Sequence, residues 1–504
     1  MALLGFLGSA AVARTLVFPV PHIHDEFSYL LSADTFAHGR LTNPPHPFAE
    51  HFEAPHVLQR PTYMSKYPPA QGAFLALGQR VFGHPAVGVW LSFGLMCAAL
   101  CFMLQAFIPV RWAFLGAFLA LLKLGFTEDV LSVIRFGYWA QSYWGGAVAA
   151  TGGALLFGAL RNLSRRSSRS QAVVFGIGLA LLATSRPYEG FLVALPALIA
   201  LALVLRRRAQ RSESPRAVVV PLALVVLSLA LWVLYDDFRV TGHAFLLPYV
   251  LYERTHASAP LFVWQSFGPI PLHGRSPLEA FDAWTLDYYG KLHGQGLLVN
   301  FVRDKFLFIS WFFLGPVLVL PILLSLLSLR RSRWTRLALA TIALFFAGFA
   351  LEVWSEPHYA APITAPVLLL VVLGLRILWR LRVRRIPLGA AAVCVLVAAS
   401  IFLAARPVTR IWGRRPVGWM TARAKIESEL ERSGRRHVVF VRYGKDHDPL
   451  AEWVYNKADI DGSAVVWARE LGTEKDAALR AYFRDRQAWT LLSDAWPPQL
   501  VIGK

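Results

Sequence analysis

Long apolar runs, cut at intervals by clusters of arginine, fill the first 405 residues of this 504-residue chain. A helix needs roughly 17–25 largely apolar residues to cross a bilayer. Windows of that kind lie near 3–20, 86–106, 108–124, 144–160, 171–187, 189–205, 217–235, 306–329, 337–353, 359–379 and 387–405. The predicted fold class is an all-α polytopic membrane domain of about eleven transmembrane helices over 1–405. A small α/β extracytoplasmic domain over 406–504 follows it. Composition supports a membrane protein: 56% of residues are hydrophobic and 16% charged, against about 25% charged in soluble domains. An ordinary soluble enzyme and a disordered chain are both excluded.

The net charge of +20 suggests nucleic acid until it is located. Arg161, Arg165, Arg166 and Arg169 form one cluster, and Arg206, Arg207, Arg208, Arg211 and Arg216 a second. Arg330, Arg331, Arg333 and Arg336 form a third, and Arg376, Arg380, Arg382, Arg384 and Arg385 a fourth. With Glu213 the only acid among them, these clusters supply +17 of the total. Short Arg-rich loops mark the cytoplasmic side, so the charge orients the chain and implies no nucleic-acid partner. The N-terminus then lies inside. Segments 21–68, 125–143, 236–305 and 354–358 lie outside with the tail. Segment 1–20 lacks a basic start and carries Arg14 within its apolar run, so it reads as a retained span rather than a signal peptide. Three cysteines are too few for a disulfide scaffold.

In the tail, HVVFVRYG (437–444) and GSAVVWARE (462–470) predict strands, with WTLLSD and QLVIGK as two more. TEKDAALRAYFRDR (473–486) predicts an amphipathic helix. No nucleophile elbow, phosphate loop or zinc spacing occurs there, and packing against the membrane domain is its expected role.

The first external loop, 21–68, is too rich in ionisable groups for a connector. FSYLLSADTFAHG predicts a short helix along the membrane surface, with Leu30, Leu31 and Phe36 on its apolar side. Just before it stand His24, Asp25 and Glu26. Paired acids at a membrane boundary suit a general base, cation binding, or simply a helix N-terminus. His22, His24, His51 and His56 are candidate ligands for a divalent metal ion, without a recognised zinc spacing. Arg60 adds a cation to the same loop. In YMSKYPPAQG (63–72) two prolines start the next helix, leaving Lys66 at the membrane surface to meet an anion. The 236–305 loop offers Trp264, Trp284, Tyr288 and Tyr289, as interface anchors or as the lining of a groove.

A first span, then Asp25-Glu26, then Tyr63…Lys66-Tyr67-Pro68-Pro69 opening the next helix resembles the GT-C glycosyltransferases. The branch is that of protein O-mannosyltransferases and bacterial lipid A aminoarabinose transferases. EPHYAAPITAPVLLL (356–370) is similar to their last external loop. The resemblance implies a GT-C-like catalytic domain over 1–405 in a bacterial inner membrane, with site and tail on the periplasmic side. It further implies an inverting transfer of sugar from a polyprenyl-phosphate carrier to a hydroxyl of a lipid, glycan or protein. Asp25 would be the catalytic aspartate, Glu26 its acidic neighbour, and Lys66 the donor-phosphate contact. Glu128 and Asp129 would be a second-loop acid pair. Arg186 is expected to clamp phosphate or pair with Glu189, and His358 and Tyr359 to bind the carrier phosphate or complete a polar network. Two other functions fit the composition. A polytopic transporter of a lipid or polar solute would need acids at mid-membrane and an internal repeat. A noncatalytic assembly protein leaves the acid-rich first loop unexplained.

Overall fold

The computed structural model describes residues 1–16, 18–127, 136–256, 259–265, 278–411 and 418–502. Among these, five helices are long and apolar enough to cross a membrane: Pro85–Phe107, Pro187–Ala209, Arg216–Thr241, Ala361–Trp379 and Leu388–Ile411. Leu297–Leu314 and Val319–Ser328 add a sixth if that pair, bent by 99°, is one broken span. The expectation of about eleven spans is therefore corrected to five or six.

Geometry explains the excess. Ala2–Thr15 has 14 residues, Val110–Gly125 has 16, and Arg169–Ser185 and Arg333–Phe349 have 17 each. At about 1.5 Å per residue such helices fall short of a hydrocarbon core of about 30 Å. Gly146–Arg165 is longer but ends in the polar run Arg161-Asn162-Leu163-Ser164-Arg165. Hydropathy windows counted flanking turn residues that the helices do not use.

The crossing helices differ in what they face. Pro85–Phe107 and Ala361–Trp379 are 72% and 83% buried and form the centre of the bundle, whereas Arg216–Thr241 and Leu388–Ile411 are 6% and 17% buried and present apolar side chains outward. Pro85–Phe107 packs against Ala2–Thr15, Pro69–Phe82 and Gly146–Arg165. The Pro69–Phe82 contact needs glycine on both sides: a Cβ on Gly78 would come within 2.2 Å of the Gly88 nitrogen.

The C-terminal elements follow the sequence closely. Strands β3 (His437–Arg442), β4 (Val465–Arg469), β5 (Gln487–Leu492) and β6 (Gln499–Ile502) form a sheet in the order β4-β3-β5-β6. β3 pairs in parallel with β4 and β5, and β6 returns antiparallel to β5. The predicted helix is Thr473–Tyr482. This sheet does not stand apart. Val438, Phe440, Val466 and Ala468 share one apolar cluster with Phe27, Leu31, Phe52 and Val57 of the first loop.

Candidate active site

The first loop folds into a helix, His24–Ala37, and a short antiparallel ribbon of β1 (Val57–Leu58) and β2 (Met64–Ser65). Its pairing of Val57 with Ser65 sets His56 beside Lys66. The Lys66 amide donates to the His56 carbonyl at 3.1 Å. His56 itself has φ +66, a left-handed backbone uncommon outside glycine. Pro68 caps and Pro69 opens the helix Pro69–Phe82, as proline does where no N–H partner is needed.

These pieces enclose a cavity of about 290 Å³ lined by Asp25, His24, His56, Lys66 and Tyr67 from the first loop. Glu356, His358 and Tyr359, from the segment that leads into Ala361–Trp379, close another side. The Tyr67 hydroxyl donates to Asp25 Oδ1, and His56 Nε2 lies 3.9 Å from Oδ2. Tyr67 stacks on Tyr29 at 4.6 Å, so the hydroxyl that holds Asp25 is itself held. Burial pushes the Tyr67 hydroxyl well up, with the Asp25 charge acting the same way; it is a proton donor at any working pH.

Lys66 is 4% exposed. Its Nζ lies 2.8 Å from Glu253 Oε1 and 4.4–4.5 Å from the rings of Tyr252 and Tyr249. A second cavity of about 260 Å³ shares Lys66, Tyr67, Tyr249, Trp354 and Tyr359 with the first and adds Arg186 and Glu189. Arg186 sits between two helices, its guanidinium 4.1 Å from the Tyr359 ring centre and 3.6 Å from Glu189. The two sequence-predicted cations thus line one cavity together, with Tyr67, Tyr249 and Tyr359 in the same lining.

Glu356 brings a further carboxylate into the Asp25 cavity. It lies deep in the protein yet opens much of its side chain to the cavity, and burial followed by the Asp25 charge raises its carboxyl to about 7. The Tyr138 hydroxyl donates to it at 3.3 Å and shares a 2.8 Å hydrogen bond with His358 Nδ1. Trp144 stacks on His358 at 4.9 Å. Burial lowers the His24, His56 and His358 imidazoles, so all three are neutral.

Other expected residues go elsewhere. Glu26 turns away from the cavity and accepts from the backbone N–H groups of His22 (2.6 Å) and Tyr143 (2.8 Å). Arg60 is exposed. Glu128 and Asp129 lie outside the described residues. The four candidate metal ligands do not converge. His24 and His56 are neighbours, but His51 donates to the Arg469 carbonyl at 2.9 Å, and no group of three or more His, Cys, Asp or Glu among the described residues is placed to hold a metal ion.

Several lining residues were missed. Tyr249, Tyr252 and Glu253 sit on Pro248–His256, and Asp282 on Leu278–Gly294. The tail also contributes. Leu450 lines the Asp25 cavity, and His24 Nε2 donates to the Pro449 carbonyl at 2.9 Å. A much larger apolar groove, about 1170 Å³, runs along the bent helix pair and meets the Asp25 cavity at Tyr288, Ser355 and Glu356.

No protein-family model matches the chain, and no curated protein matches it in sequence. Solved structures do. ArnT from Cupriavidus metallidurans in the apo state is similar with a TM-score of 0.54 at 12% identity, over 97% of this chain and 92% of that one. The same protein bound to undecaprenyl phosphate gives 0.55 at 13% identity, over 97% and 91%. At this identity the likeness speaks for architecture alone: the chain shares the fold of ArnT.

Proposed function

We propose that the protein transfers a sugar from a polyprenyl-phosphate carrier to an acceptor hydroxyl, at a site between its membrane helices and its C-terminal sheet. The observation that carries this is the cavity in which the Asp25 carboxylate and the Lys66 ammonium meet, with Tyr67 between them. A carboxylate is the base that a hydroxyl nucleophile needs. A buried cation is what a departing phosphate needs. The apolar groove that opens into the same cavity suits a lipid-borne substrate, and ArnT, of the same fold, is known bound to undecaprenyl phosphate.

In the proposed reaction Asp25 accepts the acceptor O–H proton as the new bond to the anomeric carbon forms. The carbon–oxygen bond to phosphate breaks on the opposite face, which inverts the centre and releases polyprenyl phosphate. Lys66 and Arg186 neutralise the leaving group, and Tyr359 holds Arg186. Tyr67 fixes the Asp25 rotamer through its hydroxyl. Glu26 acts at a distance, fastening the start of helix His24–Ala37. The membrane domain would comprise 1–405 and the outer domain 406–504, with both site and tail on the extracytoplasmic face of a bacterial inner membrane.

The test is mass spectrometry of lipid that co-purifies with the protein, followed by single-turnover transfer with the donor so identified. Asp25→Asn should retain donor binding and lose transfer by about 10²–10⁴-fold. Full transfer by that variant removes Asp25 from the mechanism.

A further inference from the structure

Lys66 is not simply presented to the cavity. Glu253, on the helix Pro248–His256, takes its ammonium at 2.8 Å, and the rings of Tyr249 and Tyr252 on the same helix cover it at 4.5 and 4.4 Å. Side-chain exposure is 5% for Lys66 and 15% for Glu253, so water screens this pair little. Any phosphate that reaches Lys66 at hydrogen-bonding distance brings its charge beside the Glu253 carboxylate. Two anions on one ammonium repel each other in a site of low dielectric. Asp282 lines the same cavity. Burial raises its carboxyl to about 7, and the charge of Glu253 is the next cause. Excess negative charge on this wall is therefore already resisted.

We infer that Glu253 competes with the phosphate of a lipid carrier for Lys66, so that lipid-phosphate binding displaces Glu253 and moves the helix Pro248–His256. This rests on the donor assignment above and adds a residue to it. Tyr249 and Lys66 line both cavities, so the same movement alters the boundary between the Asp25 chamber and the one that Lys66 shares with Arg186. A neutral lipid alcohol has no charge with which to displace the carboxylate. Glu253 thus sets a threshold that only an anionic head group passes.

The test uses the full chain in lipid nanodiscs with undecaprenyl phosphate as the probe and undecaprenol as the uncharged control. Binding is followed by tryptophan fluorescence, since Trp144, Trp284 and Trp354 line the cavity. Glu253→Gln is isosteric and still accepts a hydrogen bond from Lys66, so a purely structural role survives it. It should bind undecaprenyl phosphate roughly tenfold more tightly or better, with undecaprenol unchanged. Glu253→Asp, one methylene shorter, should tighten binding by a smaller factor, and it provides the measurement if the glutamine variant does not fold. Hydrogen exchange over 248–256 should rise when undecaprenyl phosphate is added to the unmodified protein. Unchanged or weaker undecaprenyl phosphate binding by the Glu253 variants overturns the inference while leaving the donor site intact. Equal binding by unmodified protein and Lys66→Ala overturns the donor assignment itself.

Discussion

Replacing Arg469 with methionine tests whether the C-terminal sheet is fastened to the first loop through a buried charge. Arg469 Nη2 lies 2.7 Å from Glu452 Oε2 and donates to the Glu53 carbonyl at 3.2 Å. Both charged side chains are more than nine-tenths buried. Burial alone would raise the Glu452 carboxyl, yet Arg469, the Tyr443 hydroxyl and the Val454 N–H hold it below its ordinary 4.5. Methionine keeps the apolar stem and leaves that carboxylate without its cation. Breaking one side of a buried pair costs about 3–5 kcal/mol, and the lost bond to Glu53 adds about 1 kcal/mol. For a unit of the tail's size, each kcal/mol lowers Tm by about 4–8 °C, so the C-terminal sheet region should melt roughly 15–50 °C earlier. Scanning calorimetry of the purified protein measures the shift, and limited proteolysis shows whether it arises within 418–502. Because the folded carboxyl is depressed, its contribution is present above 4.5 and lost as pH falls through the lower folded value. The gap between unmodified protein and variant should therefore close in acid. The double variant Arg469→Met, Glu452→Gln should recover part of the loss, since glutamine removes the unpaired charge and still accepts from the Tyr443 hydroxyl and the Val454 N–H. A shift of only a few degrees, or a double variant less stable than Arg469→Met, would refute the reasoning.

Glu356 and Glu26 offer two further checks. Since the Glu356 carboxyl is raised to about 7, its contribution is full below the ordinary 4.5 and lost as pH rises through about 7; the buried histidines, all lowered, act oppositely by losing stability on acidification. The difference between the Tm–pH profiles of unmodified protein and Glu356→Gln isolates the carboxyl, and it should fall between those two limits; superimposable profiles would exclude the shift. Glu26→Ala strips the acceptor from the buried Tyr143 N–H and the half-buried His22 N–H, at up to about 1–3 kcal/mol each, so Tm should fall in the order unmodified, Glu26→Gln, Glu26→Ala. Glu26→Gln should also keep far more transfer activity than Asp25→Asn, and equal losses would place Glu26 at the reacting atoms.

Asp25 and Lys66 were legible because local rules place them: a helix start fixes one and a proline pair the other. Glu253 was not, because LYER in a long loop has no pattern that says which loop it will face. Glu26 shows the reverse limit, since adjacency to Asp25 suggested a shared task while a helix turns successive residues about 100° apart. The tail's strands could be read from alternation, but not the arrival of Leu450 at the Asp25 cavity, which depends on tertiary packing. Span number was overread because apolar content does not specify where a helix stops. The bent pair Leu297–Leu314 and Val319–Ser328 shows this most clearly, as an apparently continuous apolar run turns through nearly a right angle.

That bend has a kinetic consequence. The groove beside it is walled by Leu307, Phe308, Leu323 and Phe346, side chains that suit acyl or isoprenoid chains rather than water. A substrate using it arrives by lateral diffusion, so its effective concentration is a mole fraction within the bilayer. Diluting the protein's surroundings with inert lipid or detergent at constant bulk concentration should slow turnover, while diluting the aqueous phase should not. Rates for such a protein are set per unit area of membrane.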